Sequence, residues 1–195
     1  TYQTAYLKCF YPAAYMAALL SSVLDSPEKV SRYSLEANRM GIKILPPDIN
    51  KSCSGFTVSG NNIRFGLAVI KNVGVGCVDG IVKEREEHGL FRSYDDFVKR
   101  CTGLNVSKRV QENLIKCGAF DALGEKRSQL MAVFEQMIDA AAEDRKKNVR
   151  GQISLFGGGE EEEGPSGAVR YPDLEEYPVK KLLAMEKECI GFYIS

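Results

Sequence analysis

Two helical runs joined by a tight, glycine-containing turn constrain the fold of this chain more than any other feature. Apolar residues 67–70 have helix-compatible spacing, and a second helical run begins at Val78. The residues between them centre on Gly74-Val75-Gly76, so the connection is a hairpin rather than a long loop. Glycine has no Cβ, so this turn can take positive φ angles and can bring its backbone N–H groups close to a ligand.

The same arrangement recurs about 45 residues later in the sequence. A helix predicted over residues 108–116 leads into a connection that contains Gly118 and Gly124. A long helix is predicted after it, over about residues 126–147. Together with a connecting helix that begins after Ser93, the two units predict a compact helical module that presents two turns on one side.

The two turns have the chemistry of a phosphate-binding site. Backbone N–H groups at the start of a helix favour an anion, because they lack partners and lie at the positive end of the helix dipole. Such contacts with the phosphates of a duplex give affinity with little sequence information. An alternative is that both units are helical packing elements without a ligand. The residues predicted to contact DNA are Lys71, Asn72, Gly74, Val75 and Gly76 in the first unit, and Lys116, Gly118, Lys126 and Arg127 in the second.

The composition points to no charged partner. Basic and acidic side chains number 26 each in 195 residues, although residues 61–130 hold twelve basic against nine acidic side chains. The six cysteines form no CxxC pair or Cys/His cluster, which argues against a zinc site and a disulfide framework and predicts reduced thiols of a cytosolic protein. No apolar run reaches the roughly 18 residues of a membrane span. The pair Asp95-Asp96 lies at a predicted helix start, where carboxylates complement the dipole, so we assign it no catalytic role.

The first sixty residues predict helices followed by a small β element. Apolar residues at helical spacing predict two helices within residues 1–24, with their aromatic side chains in the core, and a third helix that ends near Gly41. Alternating residues 42–45 predict a strand, and the residues around Gly60-Asn61-Asn62 predict a β-hairpin. The predicted N-caps along the chain are Ser26, Ser93 and Ser107, with Asp96 at a capping-box position.

Beyond residue 144 the composition becomes that of a linker. Residues 145–170 contain many charges, three consecutive glycines and an acidic run, and cannot bury enough apolar surface to order themselves. Gln152-Ile153-Ser154-Leu155-Phe156 is the exception, because burial cannot explain its apolar side chains. A compact apolar cluster in a linker predicts a short peptide that docks in a partner's pocket. From Tyr171 the apolar spacing again predicts helical packing, and residues 192–194 predict the first strand of a further domain.

Several long strings in the chain resemble the replicative DNA polymerase III alpha subunit of bacteria. They recur in order at that family's spacing, and the resemblance covers nearly the whole sequence. The most specific strings are Arg39-Met40-Gly41-Ile42-Lys43-Ile44-Leu45-Pro46-Pro47-Asp48-Ile49-Asn50, Ile63-Arg64-Phe65-Gly66-Leu67 through Lys71-Asn72-Val73-Gly74, and Leu114-Ile115-Lys116-Cys117-Gly118-Ala119-Phe120-Asp121.

The resemblance implies a mainly α fold in four parts. Residues 1–60 would be the C-terminal part of a fingers domain, with a small β element. Residues 61–144 would be a tandem helix-hairpin-helix domain that binds duplex DNA behind the active site. Residues 145–170 would be a flexible linker, and residues 171–195 a helix that leads into an oligonucleotide-binding fold absent from this sequence.

The resemblance also gives the linker peptide a partner. The family's clamp-binding pentapeptide is a glutamine, a variable pair, a leucine or methionine, and a phenylalanine. By this match Gln152 would hydrogen-bond at the rim of a groove on the sliding clamp, and Leu155 and Phe156 would fill it. Ile153 departs only mildly from the commoner leucine.

The parent protein would be a DNA-directed DNA polymerase with Mg²⁺ in its active site. The carboxylates that hold the metal ions lie in the palm, N-terminal to this segment, so the segment itself would be non-catalytic and would carry no cofactor. Other replisome subunits would be contacted through the parent chain, in the cytoplasm and without a membrane partner. The alternative function is a protein-interaction scaffold whose hairpins only pack, and the salt dependence of duplex binding separates the two.

Overall fold

The computed structural model describes residues 2–149 and 170–191, with the side chains of residues 146–149 left out. These ranges are mainly helical, as the sequence predicts. The peptide Gln152–Phe156 and residues 192–195 lie outside the described residues. The helices are α1 (Tyr2–Phe10), α2 (Pro12–Ser21), α3 (Pro27–Arg39), α4 (Val75–His88), α5 (Tyr94–Cys101), α6 (Lys108–Lys116), α7 (Arg127–Val149) and α8 (Val179–Ile190).

Serine side chains fix the start of two helices of the helical module. The Ser93 Oγ accepts a hydrogen bond from the Asp96 N–H at 3.1 Å, and the Ser107 Oγ accepts one from the Val110 N–H at 3.3 Å. The Asp96 carboxylate in turn accepts from the N–H of Arg92 at 3.0 Å. The two serine bonds satisfy backbone donors that the first turn of a helix leaves free, so these predicted helix starts are confirmed, whereas Asp96 bonds the residue before the N-cap rather than the N-cap itself.

A small sheet precedes the helical module, as predicted. Strands β2 (Thr57–Ser59) and β3 (Asn62–Arg64) form an antiparallel hairpin. Strand β1 (Ile44–Leu45) pairs in parallel with β3, with Ile44 opposite Ile63, and gives the order β1-β3-β2. The hairpin and the strand are confirmed, whereas the parallel pairing has no signal in the sequence.

Aromatic side chains form the centre of the core of the helical module. The rings of Phe97 and Phe120 meet edge to face at 4.9 Å, and Tyr94 meets Phe120 in the same way at 4.9 Å. The Tyr94 hydroxyl donates a 2.7 Å hydrogen bond to the buried Gln111 side chain, so its polar end is satisfied. This cluster joins α5 and α6 to the turn that follows α6, and thereby fixes the position of that turn.

The loop before the β-hairpin is bonded to the helical module. Arg85 on α4 donates to the carbonyls of Ile49 at 2.9 Å and Ser52 at 2.7 Å. The Asn50 side chain exchanges two hydrogen bonds with the backbone of Phe91, at 2.8 and 2.9 Å. Contacts therefore cross the boundary predicted at residue 60.

The aromatic side chains of α1 are exposed, which corrects the prediction that they lie in the core. No described residue of α1 is buried, and Tyr2 and Phe10 are 84% and 62% exposed. Met16 and Leu20 on α2 are fully buried instead. Helical spacing identifies an apolar face, but it does not show which face finds a partner within the chain.

The C-terminal part also differs from its prediction. Residues 170–178 have no helical structure, and α8 begins only after Pro178. Proline fixes its own φ and disfavours helix in the residue before it, so Pro178 stands at the helix start. At the other end of the predicted linker, α7 continues to Val149. Within the described ranges, no helix combines the length and apolar content that a bilayer crossing requires.

Candidate nucleic-acid interface

The first hairpin consists of the 3-10 turn Leu67–Val69, a short connection and helix α4. The short helical run predicted over residues 67–70 is a single 3-10 turn. The positive φ of the connection lies at Asn72, with φ of 65°, whereas Gly74 has a φ of −79° and is the N-cap of α4. The expectation that the glycines supply the positive φ is therefore wrong. Asparagine tolerates this region better than most residues.

The start of α4 is open. Gly74, Val75 and Gly76 are all exposed, and Val75 is 52% exposed although it is apolar. No acceptor in the described part of the chain takes a hydrogen bond from their three N–H groups. A Cβ built on Gly74 or Gly76 meets no atom within 4 Å. The two glycines have no positive φ here, and they leave the free N–H groups uncovered.

Lys71 supplies the cation next to this opening, and its backbone is held on both sides. Its N–H donates to the carbonyl of Cys189 on α8 at 2.9 Å. Its carbonyl accepts from the buried Asn113 side chain on α6 at 2.6 Å. Its side chain is exposed, and no carboxylate among the described residues pairs with it. The turn is therefore fixed while its charge stays free.

The second hairpin joins α6 to α7 through a turn that needs glycine for its backbone angles. Gly118 has a φ of 80° and Gly124 a φ of 104°, in the left-handed region that favours glycine. The Ala119 N–H donates to the carbonyl of Leu114 at 3.0 Å, and the Gly118 N–H donates to that of Ile115 at 3.0 Å. These bonds satisfy carbonyls that the end of α6 would otherwise leave free.

Arg127, at the start of α7, lies inside the protein and is only 8% exposed. Its guanidinium contacts the Asp121 carboxylate at 2.7 Å and the Glu186 carboxylate of α8 at 3.1 Å. It also donates to the carbonyl of Lys116 at 3.1 Å. Burial acts to lower the pKa of Arg127, but the bonds and charges of Asp121 and Glu186 outweigh it and raise that pKa above its ordinary value. Arg127 thus joins the second hairpin to α8.

The backbone at the start of α7 is also occupied. The N–H groups of Arg127 and Ser128 donate to the two carboxylate oxygens of Glu176, at 2.8 and 3.1 Å. The N–H of Tyr177 donates to the same carboxylate at 2.8 Å. Burial acts to raise the pKa of Glu176, but these three N–H bonds and the Arg127 charge outweigh it, and the pKa lies below its usual value.

The two lysines predicted to contact DNA at the second hairpin have partners of their own. The Lys126 ammonium donates to the carbonyl of Leu174 at 3.0 Å. The Lys116 ammonium contacts Glu112 at 2.8 Å and Glu188 at 3.2 Å, and the bond with Glu112 contributes most to raising the Lys116 pKa. The residues predicted at the first hairpin therefore lie together with exposed donors that are unbonded within the described residues. The charged residues predicted at the second hairpin are instead bonded to other groups of the protein.

Sequence reasoning missed three residues that complete these hairpins. Asn113 holds the first turn, while Glu176 and Glu186 close the second. The two glutamates lie about 50 to 60 residues from their partner Arg127, beyond the reach of any local pattern. Asn113 gives a weak signal, because it is a polar residue at helical spacing from the apolar Val110, although Gln111 is a second buried polar residue of α6. All six cysteines are free thiols, and the described residues contain no cluster that could hold a metal ion.

Comparison with known proteins gives a match for the module and for the whole chain. Residues 41–130 match the family model described as a helix-hairpin-helix motif. The whole chain aligns with proteins named DNA polymerase III subunit alpha, at 43% identity over 198 residues in Saccharopolyspora erythraea, 40% over 194 in Borreliella burgdorferi and 43% over 195 in Thermus aquaticus. It spans 17%, 17% and 15% of the length of these relatives. The predicted resemblance is confirmed.

Proposed function

We propose that this chain is a non-catalytic segment of a replicative DNA polymerase III alpha subunit and that it binds the backbone of duplex DNA without regard to sequence. The observation that carries this proposal is the open start of α4, where three consecutive N–H groups lack an acceptor in the described residues. The family match over residues 41–130 supports it, because the motif is a pair of helices joined by such a turn.

A phosphate oxygen is the ligand that fits this opening. The N–H groups of Gly74, Val75 and Gly76 are hydrogen-bond donors, the start of a helix favours a negative charge, and no side chain of the two glycines blocks the approach. Lys71 adds a free cation beside them. Donors that face a phosphate contact no base edge, so the binding depends on salt and not on sequence.

A substitution at Gly74 tests the proposal without disturbing the fold. Gly74 is an N-cap with a negative φ, so Asp and Asn are both favourable replacements that bond the free N–H groups from within. We expect Gly74→Asp to lower duplex affinity about tenfold or more at low salt, because the carboxylate takes the place of the phosphate and repels it. Fluorescence anisotropy with duplexes of unrelated sequence measures this loss, which should be the same for each sequence.

The matched control is Gly74→Asn, which caps the helix in the same way without the charge. Its loss of affinity should be smaller than that of Gly74→Asp. Equal affinity of the wild type and Gly74→Asp would show that the first hairpin does not contact DNA. No duplex binding by any variant at low salt would favour the protein-interaction scaffold, in which the hairpins only pack.

The second hairpin enters the proposal in a different way. For Lys116, Gly118, Lys126 and Arg127 the predicted DNA contact stays a prediction. It would require Arg127 or Lys126 to leave the carboxylate and carbonyl groups that they contact in this conformation. The specific observation that favours a packing role is the burial of Arg127 between Asp121 and Glu186.

We also propose that Gln152-Ile153-Ser154-Leu155-Phe156 binds the sliding clamp, with Leu155 and Phe156 in an apolar groove. The support is the residue pattern and its place in a polymerase III alpha sequence. Leu155→Ala with Phe156→Ala should abolish binding to the cognate clamp in surface plasmon resonance, whereas Ser154→Ala at a variable position should not. Unchanged affinity of the double variant would overturn this assignment.

The activity of the whole protein follows from its relatives and is also a proposal. The parent chain would be a DNA-directed DNA polymerase of the cytoplasm, with Mg²⁺ held by palm carboxylates outside this segment and with further replisome subunits bound elsewhere. The segment would contribute the hold on duplex DNA and on the clamp, and thereby processivity.

A further inference from the structure

We propose that Glu176 occupies, with its own carboxylate, the position at the second hairpin where a DNA phosphate would bind, and so keeps this hairpin from duplex DNA. The hairpin would contact DNA only after residues 171–178, here called the strap, are displaced. This inference rests on the proposed function, because it assumes that an open hairpin binds phosphate.

The geometry at the start of α7 is that of a bound anion. Two consecutive N–H groups, of Arg127 and Ser128, meet the two oxygens of one carboxylate at 2.8 and 3.1 Å. A phosphate at a helix start uses the same donors and the same helix dipole. The Glu176 carboxylate therefore stands in for the phosphate, whereas the corresponding donors of α4 have no such group.

The strap also takes the cation that would approach a phosphate. The Lys126 ammonium donates to the carbonyl of Leu174 at 3.0 Å, and the Gln129 side chain donates to that of Pro172 at 2.8 Å. Both donors belong to the beginning of α7 and the residue before it. The strap thus covers the donors of the second hairpin with three of its own residues, Pro172, Leu174 and Glu176.

A capping residue next to the helix would satisfy these N–H groups without fixing a distant segment of the chain. Helices α5 and α6 use Ser93 and Ser107, which directly precede them. At α7 the local Gln129 side chain accepts only from the Lys126 N–H, at 3.2 Å, and the carboxylate that accepts from the Arg127 N–H lies 49 residues away. Glu176 is itself an exposed residue, so a displaced carboxylate returns to water at small cost. The contact is consequently one that a phosphate can replace.

The experiment compares Glu176→Ala with Glu175→Ala in the full 195-residue chain. Glu175 is the exposed neighbour, and its removal changes the net charge equally. Duplex affinity is measured by fluorescence anisotropy over a range of salt concentrations. We expect Glu176→Ala to bind about tenfold more tightly than Glu175→Ala at low salt. The slope of log K against log salt should be steeper by about 0.9, as for one more phosphate contact.

Amide chemical shifts give a second, local readout. In Glu176→Ala, added duplex should shift the N–H signals of Arg127 and Ser128 as well as those of the first hairpin. In the wild type it should shift mainly those of Gly74 to Gly76. If circular dichroism shows that Glu176→Ala does not fold, Glu176→Gln is compared with Glu175→Gln instead. We then expect a smaller increase in duplex affinity for Glu176→Gln.

The outcomes separate this inference from the proposed function. Equal affinity and equal salt slope for the two alanine variants, with the wild type still binding and Gly74→Asp still defective, overturn the role of Glu176 alone. If Glu176→Ala binds duplex DNA and the wild type does not, the role of Glu176 is supported, and the first hairpin alone is insufficient for binding. Absence of binding in every variant at low salt overturns both.

Discussion

The first and second hairpins have similar helix starts but opposite surroundings. At α4 the N–H groups of Gly74, Val75 and Gly76 face outward, and the neighbouring Lys71 has no described carboxylate partner. At α7 the corresponding donors bond Glu176, and the neighbouring Arg127 is buried between two carboxylates. Two helices joined by a hairpin therefore do not by themselves define a ligand site. The groups that decide between binding and packing come from outside the pattern.

The largest expected difference between the hairpins concerns stability. Arg127→Ala would remove the guanidinium from a buried ion pair with Glu186, which is only 7% exposed, so we expect a loss of about 3–5 kcal/mol in the free energy of unfolding. Lys71→Ala at the first hairpin should change it by less than about 0.5 kcal/mol, because that side chain is exposed. Urea denaturation followed by circular dichroism measures both. Replacement of both Arg127 and Glu186 by leucine should recover most of the loss, and failure to do so would contradict the ion-pair explanation.

Alanine at the two hairpin glycines should act with opposite sign. Gly118 has a φ of 80°, and an added Cβ would collide with the Arg127 guanidinium, so Gly118→Ala should destabilise the fold by about 2 kcal/mol. Gly76 lies inside the first turn of α4 with open space around it, so Gly76→Ala should stabilise the fold by about 0.5–1 kcal/mol. Thermal and urea denaturation compare the two. Changes of the same sign in the free energy of unfolding would contradict the difference in backbone angle and packing between the two glycines.

Neutralising one lysine at each hairpin tests the difference in DNA contact. Lys71→Ala should weaken duplex binding several-fold and reduce the salt slope by about 0.9, because a free cation next to a phosphate is removed. Lys126→Ala should have a smaller effect in the wild-type background, since the Lys126 ammonium already bonds the Leu174 carbonyl. Anisotropy titrations at several salt concentrations provide the measurement. Equal effects of the two substitutions would indicate that both hairpins contact the duplex.

The smallest expected effect is a pH dependence that is confined to the second hairpin. The pKa of Glu176 is lowered in the folded state from the value of 4.5, so its contribution to stability is fully present above pH 4.5. It is lost as the pH falls through the folded-state pKa, because the protonated carboxyl is a weaker acceptor. The amide signals of Arg127 and Ser128 should therefore titrate below pH 4.5, whereas those of Gly74 to Gly76 should not follow Glu176. If the amide signals of both hairpins titrate in parallel, the assignment of Glu176 as the acceptor at the start of α7 is contradicted.

Sequence reasoning succeeded where the deciding interaction is local. Ser93 and Ser107 bond N–H groups three residues away, so their patterns are visible in the sequence and the helix starts were predicted correctly. The β-hairpin around Gly60-Asn61-Asn62 is equally local. The resemblance carried by residues 39–50, 63–74 and 114–121 is also confirmed.

The remaining features depend on contacts between distant parts of the chain. Residues 170–178 are not helical and bond the start of α7 through Pro172, Leu174 and Glu176, and neither sequence gives a sign of these bonds. The exposure of Tyr2 and Phe10 likewise depends on which surfaces meet, and helical spacing carries no information about that. The positive φ at Asn72 was missed because glycine is the usual residue in such turns.

The bond from the Lys71 N–H to the Cys189 carbonyl joins the first hairpin to the last turn of α8 through main-chain atoms alone. The acceptor is a main-chain carbonyl, so no side-chain pattern in the sequence indicates this bond. The Cys189 side chain also contacts Asn113, which in turn bonds the Lys71 carbonyl, so α8 is coupled to the first hairpin by a backbone bond and by a side-chain path. A change in the position of the last turn of α8 would therefore require either the loss of these bonds or a matching shift of the backbone at Lys71.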